Sequence, residues 1–183
     1  MKKVTVLLAD GFEEIEALTV VDLLRRAKVY VDTVSITDDY TVRGAHGIPV
    51  QTEDLITEID FKESDMIVLP GGMPGTTNLK EDENVRKAVQ EAYDDGRYVA
   101  AICAAPTILA DMGLLKGKRA TCYPDMESEI EDAYLTGAPV ATDENIITSQ
   151  GVGTAIDFAL KLIEVLISEE KAVEIADSIV YQR

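Results

Sequence analysis

The chain has 183 residues, of which 46% are hydrophobic and 28% are charged. This length suits one domain with a sizeable core, so we expect a single domain over residues 1–183. The 34 acidic and 17 basic residues give a formal net charge of −17. Such a surface repels nucleic-acid phosphates and anionic membranes, and we expect neither as a partner.

The count of cysteine and histidine residues restricts the chemistry further. The chain has two cysteines and one histidine, and no C-x-x-C motif. One histidine leaves too few obvious ligands for a zinc site, so we expect no metal. The sequence starts without a signal-peptide pattern and has no apolar stretch long enough to cross a membrane. These features predict a reduced, cytoplasmic environment.

Strand-like and helix-like segments alternate along the chain. Strands are predicted at residues 3–9, 29–36, 65–69, 98–103, 119–122 and 140–148. Helices are predicted at residues 12–27, 83–94, 104–112, 155–167 and 169–176, with a helical or turn segment at 127–134. Residues 37–54 contain Gly44, Gly47 and Pro49, which favour a short hairpin outside the main sheet. This alternation predicts an α/β fold, a three-layer α/β/α sandwich whose mainly parallel sheet carries helices on both faces.

The first helix begins with three acids, Glu13, Glu14 and Glu16. A solvated acidic first turn explains at least two of them, because acids favour helix N-termini. Helical spacing places Glu13 and Glu16 on a similar side and Glu14 elsewhere. Glu16 could therefore face the crevice above the strand ends and act there as a proton donor or acceptor. The helix also has more apolar residues than one stripe requires, which favours a second packed face, for example in a second subunit.

Cys103 lies where a buried strand meets the next helix, which begins with Pro106. Ligands of open α/β sheets bind at this edge of the strands. Helix amides and the helix dipole favour the thiolate, so we expect the pKa of Cys103 to lie below the usual value of about 8.5. The alternative is an inert structural cysteine, since free cysteines are among the most buried residues.

Three other features have both a functional and a plain structural interpretation. Gly71 and Gly72 follow a strand, so the Gly72 amide, with that of Ala104, could form an oxyanion hole, or the glycines could form a simple turn. His46 is predicted to be an exposed loop histidine. Cys122 is predicted to be inert, with a resolving thiol as the alternative.

Four segments together resemble the PfpI/ThiJ superfamily, closest to its deglycase subgroup. They are L-L-A-D-G-F-E-E-I-E, V-L-P-G-G-M-P-G, A-A-I-C-A-A-P and T-S-Q-G-V-G-T. The combination is highly specific and covers nearly the whole chain. The resemblance implies a flavodoxin-like fold of the class I glutamine-amidotransferase type.

The resemblance also implies roles for particular residues. Cys103 corresponds to a reactive, peroxide-sensitive cysteine on a strained turn, and Glu16 to the acid that hydrogen-bonds its sulfur. Gly71, Gly72 and Ala104 correspond to the backbone around the oxyanion site.

The chain also departs from the family pattern near the cysteine. Protease-like members have histidine where this chain has Ala104, and the deglycase subgroup often has histidine where it has Tyr123. Gln150 replaces an arginine that is common in the family. Tyr123, Pro124 and Gln150 are therefore predicted only to line the site.

The resemblance implies a cofactor-free thiol enzyme that acts on glyoxal, methylglyoxal or their early adducts, as glyoxalases and deglycases do. A redox sensor or redox-responsive chaperone without turnover is the alternative. An intracellular protease or amidase is weaker, because the histidine after Cys103 is missing. Relatives of this kind form homodimers through the first helix, so the expected partners are small carbonyl compounds or glycated adducts and a second copy of the chain.

Overall fold

The computed structural model describes residues 1–182. Its strands, in chain order, are β1 (Lys3–Leu8), β2 (Tyr30–Ser35), β3 (Thr41–Arg43), β4 (Pro49–Gln51), β5 (Asp54–Leu55), β6 (Met66–Leu69), β7 (Tyr98–Ile102), β8 (Arg119–Ala120), β9 (Tyr134–Leu135), β10 (Val140–Asp143) and β11 (Ile146–Ser149). Its α-helices are α1 (Glu14–Arg26), α2 (Gly75–Glu81), α3 (Glu83–Asp94), α4 (Pro106–Asp111), α5 (Ala155–Leu166) and α6 (Glu169–Ser178). Short 3₁₀ turns cover Phe61–Glu63, Pro124–Glu129 and Val152–Thr154.

A seven-stranded sheet with the order β10-β11-β7-β6-β1-β2-β5 runs through the molecule. Every neighbouring pair in it is parallel except β10 and β11, which form an antiparallel hairpin at one edge. The strands β3 and β4 form a separate antiparallel hairpin, as predicted. The predicted α/β/α sandwich of the flavodoxin-like type is confirmed.

The two faces of the sheet carry separate apolar cores, because successive strand residues point to opposite faces. Val4 and Val6 of β1 pack with α1, α5 and α6, whereas Leu7 packs with α2, α3 and α4. The carboxyl ends of β1, β6, β7 and β11 meet at one edge, because these strands are parallel. This edge is where the predicted site residues lie.

The structure changes some of the sequence predictions. Helix α2 follows the glycine-rich segment after β6 and was not predicted, because its seven residues are few and begin with Gly75. The predicted strand 119–122 is shorter and pairs with β9 outside the main sheet. The extra apolar residues of α1 are partly explained within the chain, because α1 packs against α5 as well as against the sheet.

The predicted single domain over 1–183 includes residue 183, which lies outside the described residues, so this boundary remains a prediction. Among residues 1–182, no helix has the length and apolar character needed to cross a membrane.

Candidate active site

A cavity of about 400 Å³ opens at the carboxyl edge of the central strands. Six of the residues that were predicted from the sequence line it: Glu16, Gly72, Cys103, Tyr123, Pro124 and Gln150. The remaining lining residues are Glu13, Gly151, Val152, Gly153 and Thr154. Chain segments that are far apart in the sequence therefore meet around one cysteine.

Cys103 follows β7 and has a φ of 63°, in the left-handed region that residues other than glycine rarely adopt. Hydrogen bonds to two other parts of the chain hold its backbone in this conformation. Its amide donates to the carbonyl of Ser149 over 2.9 Å, and its carbonyl accepts from the amide of Tyr123 over 2.8 Å. Such a conformation persists only where its surroundings fix it, and it is frequent at functional sites. The half-buried side chain of Cys103 is left in contact with the cavity.

Glu16 is fully buried in the first turn of α1 and faces Cys103. Its Oε2 accepts from the amide of Gly71 over 2.9 Å, whereas its Oε1 has no hydrogen-bond partner among the described residues. Gly71 makes this close approach feasible, because an added Cβ would lie 2.6 Å from Cβ of Cys103 and 2.7 Å from Oε2 of Glu16. A larger residue at position 71 would collide with both the acid and the thiol, so their contact requires glycine there.

Burial raises the pKa of Glu16 to about 7, and the charge of Glu13 acts in the same direction. A carboxyl in this environment is harder to ionise than an exposed one. Burial also raises the pKa of the Cys103 thiol to about 12, with further contributions from the charge of Glu16 and its hydrogen bond. The predicted thiol pKa below about 8.5 is therefore wrong. Amides do favour the thiolate, but desolvation and the adjacent carboxylate outweigh them.

Because Cys103 and Glu16 interact this closely, ionising one group makes the other harder to ionise. Above the raised pKa of Glu16, about 7, and below the raised pKa of the thiol, the pair holds one proton and one negative charge. Moving that proton from sulfur to carboxyl creates a thiolate beside a neutral acid without changing the charge of the site.

The backbone amides of Gly72 and Ala104 donate hydrogen bonds to the Cys103 sulfur and lower its pKa, against the larger opposing effects. Gly72 has a φ of 90°, and an added Cβ would lie 2.4 Å from the amide nitrogen of Glu13. A glycine is required here for both reasons. The two amides predicted as oxyanion donors thus converge on the sulfur, although a role toward an oxyanion stays a prediction.

The loop after β11 lines the cavity beside the Cys103–Glu16 pair. A Cβ added at Gly151 would lie 3.8 Å from Sγ of Cys103, 3.8 Å from Oε1 of Glu16 and 3.7 Å from the Tyr123 ring. Thr154 fixes the loop, because its hydroxyl accepts from the Gly151 amide over 3.1 Å. Of this S-Q-G-V-G-T segment, only Gln150 was predicted to line the site. The two glycines of this segment, which precede a helix, were the sequence signal for the other lining residues.

Glu14 points away from Cys103, as predicted, and contacts the β3–β4 hairpin. Its Oε1 accepts from the His46 amide over 2.8 Å, and its Oε2 contacts Nδ1 of His46 at 2.9 Å. His46 is 68% exposed, as predicted, but it also lies 3.7 Å from Oε1 of Glu13. Ligand atoms of Glu13, Glu14 and His46 lie within 4.8 Å of one another, a grouping that the sequence analysis did not anticipate. The Glu14 oxygens already accept hydrogen bonds from the hairpin.

The two cysteines belong to opposite faces of the sheet. Cys103 packs against the core beside α1, whereas Cys122 is buried in the core on the other face. Burial raises the pKa of the Cys122 thiol to about 11. This placement supports the interpretation of Cys122 as an inert thiol.

Comparisons with known proteins assign the chain to a family. The model of the DJ-1/PfpI family matches residues 2–165. Protein DJ-1 homolog B of Arabidopsis thaliana is 40% identical over 181 residues, which are 98% of this chain but 41% of that protein. The glutathione-independent glyoxalase DJ-1 of Schizosaccharomyces pombe is 34% identical over 182 residues, covering 93% of this chain and 94% of that protein.

A solved structure gives the same result at the level of the fold. The structure of oxidized Toxoplasma gondii DJ-1 superposes with a TM-score of 0.95 and 36% identity, over the full length of both chains. The matches extend over the strands that carry Cys103 and over the helix that carries Glu16. The chain therefore belongs to the DJ-1/PfpI family.

Proposed function

We propose that this protein is a cofactor-free, cysteine-dependent enzyme that acts on glyoxal, methylglyoxal or their early adducts, as a glyoxalase or deglycase. The observation that carries the proposal is the buried Cys103–Glu16 pair, which holds one proton above about pH 7 and faces a cavity. The relative in Schizosaccharomyces pombe that is named a glutathione-independent glyoxalase supports this choice of reaction.

In the first step, Sγ of Cys103 adds to the aldehyde carbon of methylglyoxal. A sulfur–carbon bond forms, the carbonyl π bond breaks, and the thiol proton passes through Glu16 to the new oxygen. The strained turn presents the sulfur to the cavity. The sulfur loses its negative charge when it bonds to carbon. The amides of Gly72 and Ala104 are then free to donate to the new oxygen.

In the second step, Glu16 removes the C–H proton from the former aldehyde carbon and returns it to the neighbouring carbonyl carbon, while the hydroxyl proton moves from the first oxygen to the oxygen of that neighbouring carbonyl. The product is a lactoyl thioester on Cys103, so the carbon oxidised and the carbon reduced belong to the same substrate. Water then cleaves the thioester to lactate and free thiol. The Glu16 carboxyl suits this transfer, because it lies beside the Cys103 thiol and only its Oε2 is engaged by a backbone amide.

Turnover of methylglyoxal by the purified protein, with lactate quantified, tests the proposal. Wild type and Cys122→Ala should both form lactate, whereas Cys103→Ala should form none above the uncatalysed rate. The Cys122 variant is the matched control, since it removes the other thiol of the chain. No lactate from wild type would contradict the proposal.

A redox sensor or redox-responsive chaperone without turnover is the second candidate. The half-buried Cys103 with two amide donors favours it, because these donors can also bind the oxygens of a sulfinate. A relative of the same fold was solved in an oxidized form. Selective oxidation of Cys103 in a protein that forms no lactate would favour this candidate.

A protease or amidase is the weakest candidate. No histidine is among the described residues that line the cavity. His46 pairs instead with Glu14, on the other side of the first turn of α1.

We also propose a homodimer formed through α1, in a cytoplasmic environment. The side chains of Ile15 and Leu18 remain 52% and 36% exposed on this helix, although the other apolar residues of α1 are buried within the chain. Sedimentation analysis of wild type and of Ile15→Glu tests the interface, since a charge there should yield monomers.

A further inference from the structure

The charge of the cavity lining differs from what an anionic substrate would require. Apart from Cys103, the acidic side chains that line it are Glu13 and Glu16. Among the described lining residues, none is lysine, arginine or histidine.

Glu13 is the lining acid that does not contact the thiol. It is the residue just before α1, and its side chain is 14% exposed. Its carboxylate makes no capping hydrogen bond to the helix, so its place at the cavity is not explained by capping. On the exposed side, Nδ1 of His46 lies 3.7 Å from Oε1 of Glu13.

We propose that Glu13 is a selectivity residue, whose carboxylate makes the Cys103 cavity accept uncharged carbonyl compounds and reject carboxylated or phosphorylated ones. This inference rests on the proposed function for the reacting group, but it concerns only how charge controls access to Cys103. Repulsion between a unit charge on Glu13 and one on the ligand acts at short range in a partly desolvated cavity, where water screens it incompletely.

Alkylation of Cys103 measures this selectivity without requiring turnover. Iodoacetamide and iodoacetate have similar size, and they differ by one negative charge. The rate constant of each with Cys103, from mass spectrometry of the intact protein, is divided by its rate constant with 2-mercaptoethanol. The ratio of these two normalised values removes any change in thiol pKa, which affects both reagents equally.

Wild type should favour iodoacetamide, and Glu13→Gln should lower that preference about fivefold, the effect of about one kcal/mol of Coulomb energy. Asp22→Asn is the matched control, because it removes one negative charge from an exposed position of the same helix. Nine residues further along, it lies ~13 Å away, beyond the screening length of about 8 Å at physiological salt. Its preference should equal that of wild type.

Three results would overturn the inference: no preference in wild type, an unchanged ratio in Glu13→Gln, or an equal change in Asp22→Asn. The last would assign the selectivity to the overall charge of −17. If Glu13→Gln does not fold, Glu13→Ala gives the same comparison. The test of lactate formation is independent of this one, since a protein that forms no lactate can still show the alkylation preference.

Discussion

The two sides of the first turn of α1 contrast sharply in how they treat a buried glutamate. Glu14 and Glu16 are two residues apart, and both are almost completely buried. Glu14 accepts hydrogen bonds from the hairpin, and these lower its pKa against the effect of burial. Glu16 has one backbone donor, and burial raises its pKa to about 7.

This difference teaches that burial alone does not decide the charge of a carboxyl. The number of donors that face it decides whether desolvation is offset. On the hairpin side, Glu14 holds the β3–β4 hairpin against α1 through its hydrogen bonds. The cavity side leaves Glu16 short of donors and beside a thiol, which is the condition under which a carboxyl exchanges protons near neutral pH.

Replacing each glutamate with glutamine should have very different effects on turnover, and this is the largest difference that we expect between the two sides. Glu16→Gln keeps the shape but cannot accept and return a proton, so lactate formation should fall about a hundred-fold or more. Glu14→Gln should stay near wild type, because Glu14 does not reach the cavity. Initial rates at saturating methylglyoxal measure both. An active Glu16→Gln enzyme with an inactive Glu14→Gln enzyme would show that the wrong acid was chosen.

The same two variants should change stability in opposite directions. The pKa of Glu16 is raised from 4.5 to about 7, so the native state binds the extra proton and loses stability as pH rises between these values. Glu16→Gln removes that loss and should gain up to about 3 kcal/mol at pH 8. Urea unfolding at pH 8 measures the gain, and a variant less stable than wild type would contradict it.

Glu14 should behave in the opposite way, because its pKa is lowered in the folded state. Its contribution to stability is complete above its unfolded pKa of about 4.5 and is lost as pH falls through the folded value. Glu14→Gln should cost about 1–3 kcal/mol at pH 8, since the amide satisfies fewer of the hairpin donors. A cost at pH 8 that persists unchanged under acidic conditions would argue against the carboxylate as its cause.

The pH dependence of Cys103 reactivity should sharpen the contrast further. Alkylation by iodoacetamide should rise about tenfold per pH unit below pH 7 and level off above it, as the pair loses its first proton. In Glu16→Gln this step should disappear, whereas Glu14→Gln should keep it. A single transition near pH 8.5 in all three proteins would mean that the thiol titrates independently of Glu16.

Cys122 should show the smallest effect. Mild peroxide should add two oxygens to Cys103 before Cys122 changes, because Cys122 is buried on the other face of the sheet. Cys122→Ala should leave the oxidation of Cys103 unchanged, as followed by intact-mass analysis. Accumulation of a Cys103–Cys122 disulfide would instead make Cys122 a resolving thiol.

The sequence by itself determined the α/β sandwich, because alternating apolar strands and helices of this length have few other ways to pack. It also identified Cys103 and Glu16, since a cysteine between strand and helix and an acid in a first turn are local patterns. The family resemblance supplied the link between them. The hairpin at β3–β4 was predicted from its glycines and proline for the same local reason.

The tertiary structure decided what depends on contacts between distant segments. The pKa of Cys103 follows from burial and from Glu16, 87 positions away in the sequence, so the local helix N-terminus misled the prediction. The pairing of Glu14 with His46 and the proximity of Gly151 to Cys103 and Glu16 also join segments that the chain order separates. Desolvation and Coulomb interactions depend on three-dimensional distance, and sequence patterns record only the spacing along the chain.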